Sequence, residues 1–212
     1  GRVKTSFEVP EYFQQYLSWK RTSADLFIKN GMVFLSIVMQ KDIEDTLGNN
    51  EFIGIDRGLN NLAVTSNNIF FGGGHIRKVS LRYKAIRRKL QKAKTKSAKR
   101  HLKRLSGKEN RFKTDTNHCN AKRIVGSANP GATLVLERLK DIRNKSKLRK
   151  KQRTELNNWA FGQLESFITY KAEIKGIKIE YVCPRYTSQR CSKCGHIARA
   201  NRVWQSLFKC KE

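Results

Sequence analysis

The stretch from Phe52 to Val64, FIGIDRGLNNLAV, constrains the fold more than any other part of the chain. It predicts a strand, a tight turn and a second strand, because apolar residues lead to Asp56 and Arg57-Gly58 then turns the chain into another apolar run. A carboxylate at the end of a buried strand is held rigidly at the sheet edge, which suits a metal ligand, and Gly54 and Gly58 leave space beside the backbone. Asp also commonly begins turns, so a purely structural role for Asp56 stays open.

A second apolar run, Thr133-Leu134-Val135-Leu136-Glu137, also ends on an acid. Two strands that each deliver a carboxylate at the C-terminal end build a site for a hard divalent cation such as Mg²⁺. A pair of such cations stabilises the attacking and leaving oxygens of phosphodiester cleavage. The alternative for Glu137 is a solvated residue at a strand end. The sequence therefore predicts a magnesium site formed by Asp56 and Glu137.

The charge of the chain points to a polyanionic partner. The 212 residues carry a formal net charge of +28 and have a pI of about 10.3. A surface this basic repels itself without a polyanion, so nucleic acid is the predicted partner. A membrane surface is the alternative, but no apolar run approaches the length of a membrane span and no signal peptide is visible.

Most of this charge lies in residues 77–113. Val79, Tyr83, Ile86, Leu90, Ala93 and Ser97 recur there at alternating steps of four and three, and Ala98, Leu102 and Leu105 follow with the same spacing. This pattern predicts a helix that ends at Ser106-Gly107 and precedes a second helix at about 115–128. The alternative is a solvated amphipathic helix, but solvated faces usually mix both signs of charge. One-sign charge favours contact with phosphates, which supplies affinity without reading sequence. The predicted contacts are Arg77, Lys78, Arg82, Arg87, Arg88, Lys92, Lys99, Arg100, Lys103 and Arg104.

The N-terminal part contains a predicted β-hairpin. Residues 24–30 and 32–39 are apolar and β-rich, and Asn30-Gly31 between them is a strong hairpin signal. On the residues alone, one interpretation is an extra hairpin on the main sheet. Residues 41–50 are polar and predict a linker.

The second half predicts the remaining elements of the sheet domain. A basic run at 140–153 is expected to form a loop along nucleic acid, and a helix is expected at about 155–175 with Trp159 in its core-facing stripe. Residues 177–182 alternate as a strand does. The triple glycine at 72–74 lacks the Lys-Ser/Thr ending of a phosphate-binding loop.

The cysteines predict a zinc site. Five cysteines with one Cys-x-x-Cys pair favour metal binding in a reducing cytosol over a disulfide framework. Cys191 and Cys194 have knuckle spacing, and Cys210 supplies a third ligand. The usual pattern places a fourth ligand one residue beyond the end of the sequence, so we expect a three-ligand site unless His196 or Cys183 substitutes without the expected spacing.

Three of these segments, in this order, resemble the TnpB (OrfB) proteins of bacterial and archaeal insertion sequences. GIDRGLNNLAV at 54–64 is similar to the RuvC-I motif, LVLERLKDI at 134–142 to RuvC-II, and YTSQRCSKCGH at 186–196 to the first knuckle of a zinc ribbon. The resemblance covers the chain from about Asp25 onward. It implies an RNA-guided DNA endonuclease related to type V CRISPR effectors, with DNA and guide RNA as partners and Mg²⁺ and zinc as cofactors. It also implies that Asp56 and Glu137 are catalytic.

The resemblance sets the expected architecture, an α/β RNase H-like (RuvC-like) mixed sheet. This domain is expected at 51–182, with a basic helical insertion at about 77–128. Residues 1–50 are expected to be the C-terminal part of a β-rich, wedge-like domain, and 183–212 an incomplete zinc ribbon. The protein is expected in the cytoplasm, and the sequence leaves its oligomeric state open.

The family pattern also contains a third acid, after the second knuckle. This position falls beyond Glu212, so we expect the 212-residue chain to bind nucleic acid and to cut it negligibly. The competing hypothesis is a nuclease-dead, guide-dependent DNA-binding module. A transposase for strand exchange would need a nucleophilic Tyr or Ser, and nothing in the sequence singles one out.

Overall fold

The structure is a computed structural model that describes residues 4, 6–29, 31–43, 48–139, 161–204 and 207–212. The chain forms two compact units, Gly1–Glu44 and Asp45–Glu212, whereas the sequence predicted the first boundary at residue 50. The N-terminal unit contains helix α1 (Glu11–Gln14) and strands β1 (Lys20–Lys29) and β2 (Met32–Gln40).

Strands β1 and β2 form the predicted hairpin. They pair antiparallel with Lys29 opposite Met32, and Gly31 at the turn has φ 79°, a left-handed conformation that glycine adopts easily. Phe27 and Phe34 stack across the pair with ring centroids 5.5 Å apart. The hairpin is a separate two-stranded sheet, so the alternative that it extends the main sheet is wrong.

The larger unit is built on a five-stranded mixed sheet. Its spatial order is β5-β4-β3-β6-β7, with β3, β6 and β7 parallel and β4 antiparallel to both β3 and β5. Both predicted runs that end on an acid, β3 and β6, are therefore neighbouring parallel strands. The strands are β3 (Phe52–Asp56), β4 (Asn61–Thr65), β5 (Phe70–Gly72), β6 (Thr133–Glu137) and β7 (Lys178–Val182).

Among the described residues of this unit, three helices connect and cover the sheet: α2 (Gly74–Ala93), α3 (Lys96–Gly126) and α4 (Phe161–Ile174). Parallel strands need crossover connections, and these helices lie in the connections from β5 to β6 and from β6 to β7. Alternate residues of β3 and β6 face the helices, and Ile53 and Leu134 pack there with Ile124 of α3 and Leu164 of α4. On the opposite face, the residues toward the C-terminal ends of both strands are exposed or half-buried.

The boundary between the basic helices differs from the prediction. The break lies at Lys94-Thr95, and α3 continues through Gly107 without interruption. Lys94 is left-handed with φ 54°, and the hydroxyl of Thr95 accepts a hydrogen bond from the amide of Ala98 at 3.1 Å, which caps α3. A glycine inside a long packed helix costs only about 1 kcal/mol, so Gly107 does not end α3.

Helix α4 is described from Phe161, so the predicted start at residue 155, Trp159 and the basic run at 140–153 lie outside the described residues. Gly176, with φ 67°, follows its end as predicted, and the amide of Ile177 donates to the carbonyl of Ala172 at 2.9 Å. No helix within the described ranges combines the length and the apolarity that crossing a membrane requires.

The C-terminal part contains a short 3₁₀ helix (Arg199–Asn201) and the antiparallel strands β8 (Arg202–Trp204) and β9 (Leu207–Phe208). A further antiparallel bridge joins Arg190 to Ile197 on either side of the Cys191–Cys194 knuckle. This arrangement brings the segment that contains Cys210 back toward the knuckle.

Candidate metal and nucleic-acid sites

The sheet places Asp56 and Glu137 side by side. In the parallel register of β3 and β6, Ile55 is the partner of Leu136, so the next residues along both strands are Asp56 and Glu137. Neighbouring strands lie about 4.8 Å apart. Both side chains belong to the face that the helices leave uncovered, because the buried residues Ile55 and Leu136 point to the other face.

A pocket of about 360 Å³ opens at this position. Asp56 and Glu137 supply the carboxylates among its lining residues, and oxygen donors of this kind are what Mg²⁺ binds in proteins. The donor set therefore fits a hard divalent cation. The other lining residues are Gly54, Ile55, Val64, Thr65, Ser66, Val135 and Val182.

Gly54 shapes the floor of this pocket. Its amide donates to the hydroxyl of Ser66 at 3.1 Å and its carbonyl accepts from the amide of Ser66 at 2.8 Å, which joins β3 to the end of β4. A Cβ atom at position 54 would meet only the Cβ atom of Ser66, at 3.9 Å. The glycine thus leaves the space beside Asp56 that the sequence predicted.

Arg57 lies directly behind the two acids, and the sequence indicated no such role for it. Its side chain is fully buried; one guanidinium nitrogen lies 2.6 Å from Oε2 of Glu165, and the other donates to the main-chain carbonyl of Glu137 at 2.6 Å. Arg57 therefore joins the ends of β3 and β6 to helix α4. The only sequence signal was a charged residue between a predicted buried strand and a turn.

Thr187 contacts Glu137 directly and was also missed. Its hydroxyl donates to Oε1 of Glu137 at 2.6 Å and also lies 3.2 Å from the carbonyl of Pro184. Because Thr187 precedes the cysteine knuckle, this hydrogen bond connects the C-terminal part with the acidic pocket.

Cys191, Cys194 and Cys210 converge as predicted. Their sulfur atoms all lie within 4.8 Å of one another, and those of Cys194 and Cys210 are 3.5 Å apart. Hydrogen bonds from the backbone amides of Cys194 and then Lys193 lower the pKa of Cys191 to about 7, which favours the thiolate that binds metal. Three converging sulfur ligands fit a zinc ion.

Neither predicted substitute ligand joins this cluster. Within the part of the chain that the structure describes, the grouping consists of the three cysteines, and His196 instead places Nδ1 3.2 Å from Oε1 of Glu212. Cys183 is exposed and lies outside the cluster, as does Cys119 on α3.

Asn201 holds the two halves of the cysteine cluster together. It is fully buried, and its side-chain amide donates to the carbonyls of Gln189 at 3.0 Å and His196 at 3.3 Å. Its main-chain carbonyl accepts from the amide of Lys209 at 2.8 Å, and its Oδ1 accepts from that of Lys211 at 3.1 Å. These bonds flank Cys210 on both sides, and no spacing rule in the sequence indicated them.

Nine of the ten predicted phosphate contacts are exposed on α2 and α3, and Arg87 is the exception. Its guanidinium pairs with the buried carboxylate of Glu109 on α3, which also accepts Lys113 Nζ at 2.9 Å. Arg87 therefore links the two helices. Its predicted contact with nucleic acid stays a prediction, and the same holds for the other nine: Arg77, Lys78, Arg82, Arg88, Lys92, Lys99, Arg100, Lys103 and Arg104.

Two family models match the chain. Residues 36–131 match the model of the IS605 OrfB family, described as "Probable transposase", and residues 161–212 match a model described as "Cas12f1-like, TNB domain". The first match includes Asp56 and both basic helices, and the second includes the three cysteines.

Curated relatives carry related names. A TnpB-like protein of Methanocaldococcus jannaschii is 32% identical over 140 residues, which are 64% of this chain and 50% of that protein. The CRISPR-associated endodeoxyribonuclease Cas12f1 of Sulfoacidibacillus thermotolerans is 38% identical over 112 residues, 52% of this chain and 25% of that protein. The chain thus spans no more than half the length of these relatives.

Solved structures of related shape include two Cas12f assemblies. The cryo-EM structure of a Cas12f1-sgRNA-target DNA complex aligns with a TM-score of 0.56 at 20% identity, over 89% of this chain and 50% of that one. A CRISPR-Cas12f ternary complex aligns with a TM-score of 0.57 at 21% identity, over 82% of this chain and 37% of that one. At this identity the likeness shows the fold.

The mixed sheet, its two adjacent strand-end acids and the three-cysteine cluster define an α/β protein with a C-terminal group of possible metal ligands. Residues 36–131 are thus similar to the IS605 OrfB family and residues 161–212 to the Cas12f1-like TNB domain, and the TnpB-like relative is similar over 64% of the chain.

Proposed function

We propose that this chain is the nuclease part of an RNA-guided, Mg²⁺-dependent DNA endonuclease of transposon origin. The observation that carries the proposal is the pair of carboxylates, Asp56 and Glu137, side by side on neighbouring parallel strands and lining one pocket. The names of relatives, a TnpB-like protein and a CRISPR-associated endodeoxyribonuclease, support the same activity.

The strand order of the sheet supports the proposed domain assignment. An antiparallel trio β5-β4-β3 joined to the parallel strands β6 and β7 is the strand order of an RNase H-like fold, and we assign the sheet unit as RuvC-like. The basic helices α2 and α3 are then its insertion, and residues 183–212 its zinc ribbon. The separate hairpin β1-β2 fits the wedge-like domain that the family resemblance implies.

The acids have distinct supports for their proposed task. Bound Mg²⁺ would stabilise the attacking and leaving oxygens of phosphodiester hydrolysis. In two-metal sites a pair of ions does this. Asp56 and Glu137 would hold the Mg²⁺, because both are exposed or half-buried carboxylates on one pocket wall. Thr187 restrains the rotamer of Glu137 through its hydrogen bond to Oε1.

Nucleic acid would be held by the exposed basic side chains of α2 and α3. These helices carry Lys or Arg with few compensating acids, and Glu109 is buried rather than presented at the surface. Contacts of this kind neutralise backbone phosphates of DNA or RNA without reading base sequence. Sequence selection would therefore rest with a guide RNA.

A second candidate is a guide-dependent DNA-binding module that does not cut. The observation in its favour is the count of carboxylates, because Asp56 and Glu137 are the two acids among the described lining residues. Mg²⁺ dehydrates reluctantly, and two ions need more anionic ligands than two carboxylates offer. We expect residues 1–212 alone to bind nucleic acid and to cut it negligibly.

Co-expression of residues 1–212 with the DNA that flanks the gene, followed by sequencing of the co-purified RNA, tests the shared basis of both candidates. A discrete RNA species is expected, and a DNA complementary to it can then be assayed for binding and for Mg²⁺-dependent cutting. Cutting that Asp56→Asn removes supports the endonuclease, and binding without cutting supports the module. Heterogeneous cellular RNA with no DNA binding would contradict both.

A further inference from the structure

Folding alone does not explain why the guanidinium of Arg57 is buried at this position. Burying a charge is costly, and replacing a buried ion pair by apolar residues is often neutral or stabilising. Arg57 nevertheless follows Asp56 directly and reaches the main chain of Glu137 and the side chain of Glu165. We propose that Arg57, held by Glu165, is a positioning residue that sets the spacing of the Asp56 and Glu137 carboxylates for metal binding, an inference that rests on the proposed function of those acids.

The pairing between β3 and β6 stops just before the two acids. The parallel pairing of β3 with β6 ends at Ile55 and Leu136, one residue before the acids. Beyond that point the hydrogen bond from Arg57 to the carbonyl of Glu137 joins the two strand ends. Asp56 is paired with Val64 of β4 and Glu137 with Val182 of β7 on their outer sides, so the Arg57 hydrogen bond adds a direct link between the two strand ends.

Glu165, the ion-pair partner of Arg57, lies on a well-packed helix. Glu165 lies in the first half of α4, directly after Leu164, and Leu164 and Ile168 are fully buried in the core. The Glu165 side chain is 31% exposed, so its carboxylate is anchored by the helix rather than by complete burial. Because α4 is packed in the core, it holds Glu165 in place beside Arg57 at the strand ends.

The planar shape of the Arg57 guanidinium suits this linking role. Two nitrogens of one planar guanidinium serve two acceptors on different elements, and Nε has no hydrogen-bond partner among the described residues. An ammonium group can retain the charge of Arg57 but cannot reproduce this fork. Arg57→Lys therefore separates the charge of the residue from its geometry.

Binding of Mn²⁺, a probe for the Mg²⁺ site, can be measured by electron paramagnetic resonance on the zinc-loaded chain. We expect Arg57→Lys and Glu165→Gln each to weaken Mn²⁺ binding by about 10-fold to 100-fold, the range seen when partners of metal ligands are removed. The double variant should lose little more than either single variant, because both break one link. Glu173→Gln, an exposed carboxylate on the same helix, is the matched control and should keep the wild-type affinity.

Thermal unfolding without metal separates positioning from folding. Glu165→Gln is nearly isosteric and serves as the deciding variant should Arg57→Lys fail to fold. Weaker Mn²⁺ binding by a folded Glu165→Gln variant, with Glu173→Gln unaffected, supports the proposal. Wild-type Mn²⁺ affinity in Glu165→Gln, or equal loss in Glu173→Gln, overturns it.

Asp56→Asn separates a failure of the proposed metal site from a failure of the positioning role of Arg57. Loss of Mn²⁺ binding in Asp56→Asn together with unchanged binding in Glu165→Gln overturns the positioning role and leaves the proposed metal site intact. Unchanged binding in Asp56→Asn overturns the metal site, and the positioning role with it.

Discussion

The hydroxyl of Thr187 donates a hydrogen bond of 2.6 Å to Oε1 of Glu137, 50 residues away in the chain. Thr187 lies just before the three-cysteine cluster and Glu137 ends a central strand, so the bond joins the C-terminal segment to the acidic pocket. A neighbour that fixes the orientation of a carboxylate ligand commonly tunes its affinity for metal. The C-terminal segment is thus coupled to the pocket through this hydrogen bond.

The Thr187 hydrogen bond leads to the first prediction. Thr187→Val should weaken Mn²⁺ binding several-fold, because Glu137 is left without the donor that holds its rotamer, and Thr187→Ser should restore it. The readout is the Mn²⁺ dissociation constant of each purified variant. Equal affinities for the valine and serine variants would show that the hydroxyl does not orient Glu137.

Nucleic-acid affinity should fall steeply with salt, because binding releases counterions from phosphates. Replacing Arg82, Arg88, Lys92, Lys99 and Arg100 with Gln should flatten the slope of log K against log salt by about 0.9 for each duplex phosphate that the variant no longer neutralises. The slope can be measured by fluorescence anisotropy on a labelled DNA duplex. An unchanged slope would show that these exposed faces of α2 and α3 do not meet nucleic acid.

Arg87→Gln is the contrasting variant of the same helix. Its partner Glu109 is buried, so the substitution leaves a carboxylate whose charged partner among the described residues is Lys113. We expect a lower unfolding temperature from Arg87→Gln and little change in the salt slope, whereas substitution of an exposed residue such as Arg88 should show the reverse. A change in slope without loss of stability would instead support the predicted phosphate contact of Arg87.

The cysteine cluster should bind zinc with three ligands. For residues 1–212 we expect an affinity well below that of a four-ligand site, because the described cluster offers three sulfur ligands. Cys210→Ser should abolish binding, and Cys183→Ser, outside the cluster, should not change it. Zinc content after mild chelation checks this, and a full equivalent of tightly held zinc would mean that a further ligand completes the site.

His118 should make stability depend on pH. Burial and then the charge of Lys171 lower its pKa, with Asp115 opposing them, and its ring stacks on Phe167 at 3.8 Å between centroids. The hydroxyl of Tyr170 lies 3.3 Å from Nδ1, which suits a neutral ring. Its stabilising contribution is therefore fully present above the unfolded pKa of about 6.5 and is lost as the pH falls through the lower folded value.

Urea unfolding at pH 8 and pH 5 tests this pH dependence. His118→Phe retains an aromatic ring for the stack and cannot titrate, so the fall in unfolding free energy between the two pH values should be smaller than in the wild type. An identical fall in both proteins would show that His118 does not contribute.

Local patterns predicted the strands and the clusters. Apolar runs that end on Asp56 and Glu137 correctly indicated strands, because the strand period and the terminal acid are both local features. Asn30-Gly31 marked the hairpin turn through its need for positive φ. The Cys-x-x-Cys spacing placed Cys191 and Cys194 within reach of one ion.

Long-range partners and the helix break were not predictable in this way. Arg57 and Glu165 are 108 residues apart, and only the packing of α4 on the sheet brings them together. Lys94 takes a left-handed conformation without being Gly or Asn, so the usual signal for a helix end was absent and Gly107 drew the prediction instead. Thr95, a good N-cap residue, was the local clue.

The central claim is that Asp56 and Glu137 together hold a divalent cation. Anomalous diffraction from crystals of residues 1–212 soaked in Mn²⁺, with Asp56→Asn crystals and Glu180→Gln crystals as controls, tests it directly. Glu180 is a suitable control because it is an exposed acid on the neighbouring strand β7 and does not line the pocket. We predict a peak bonded to both carboxylates at about 2.2 Å, absent in Asp56→Asn and present in Glu180→Gln. A peak at Glu180 alone, or an empty pocket in Mn²⁺-soaked wild-type crystals, would contradict the claim.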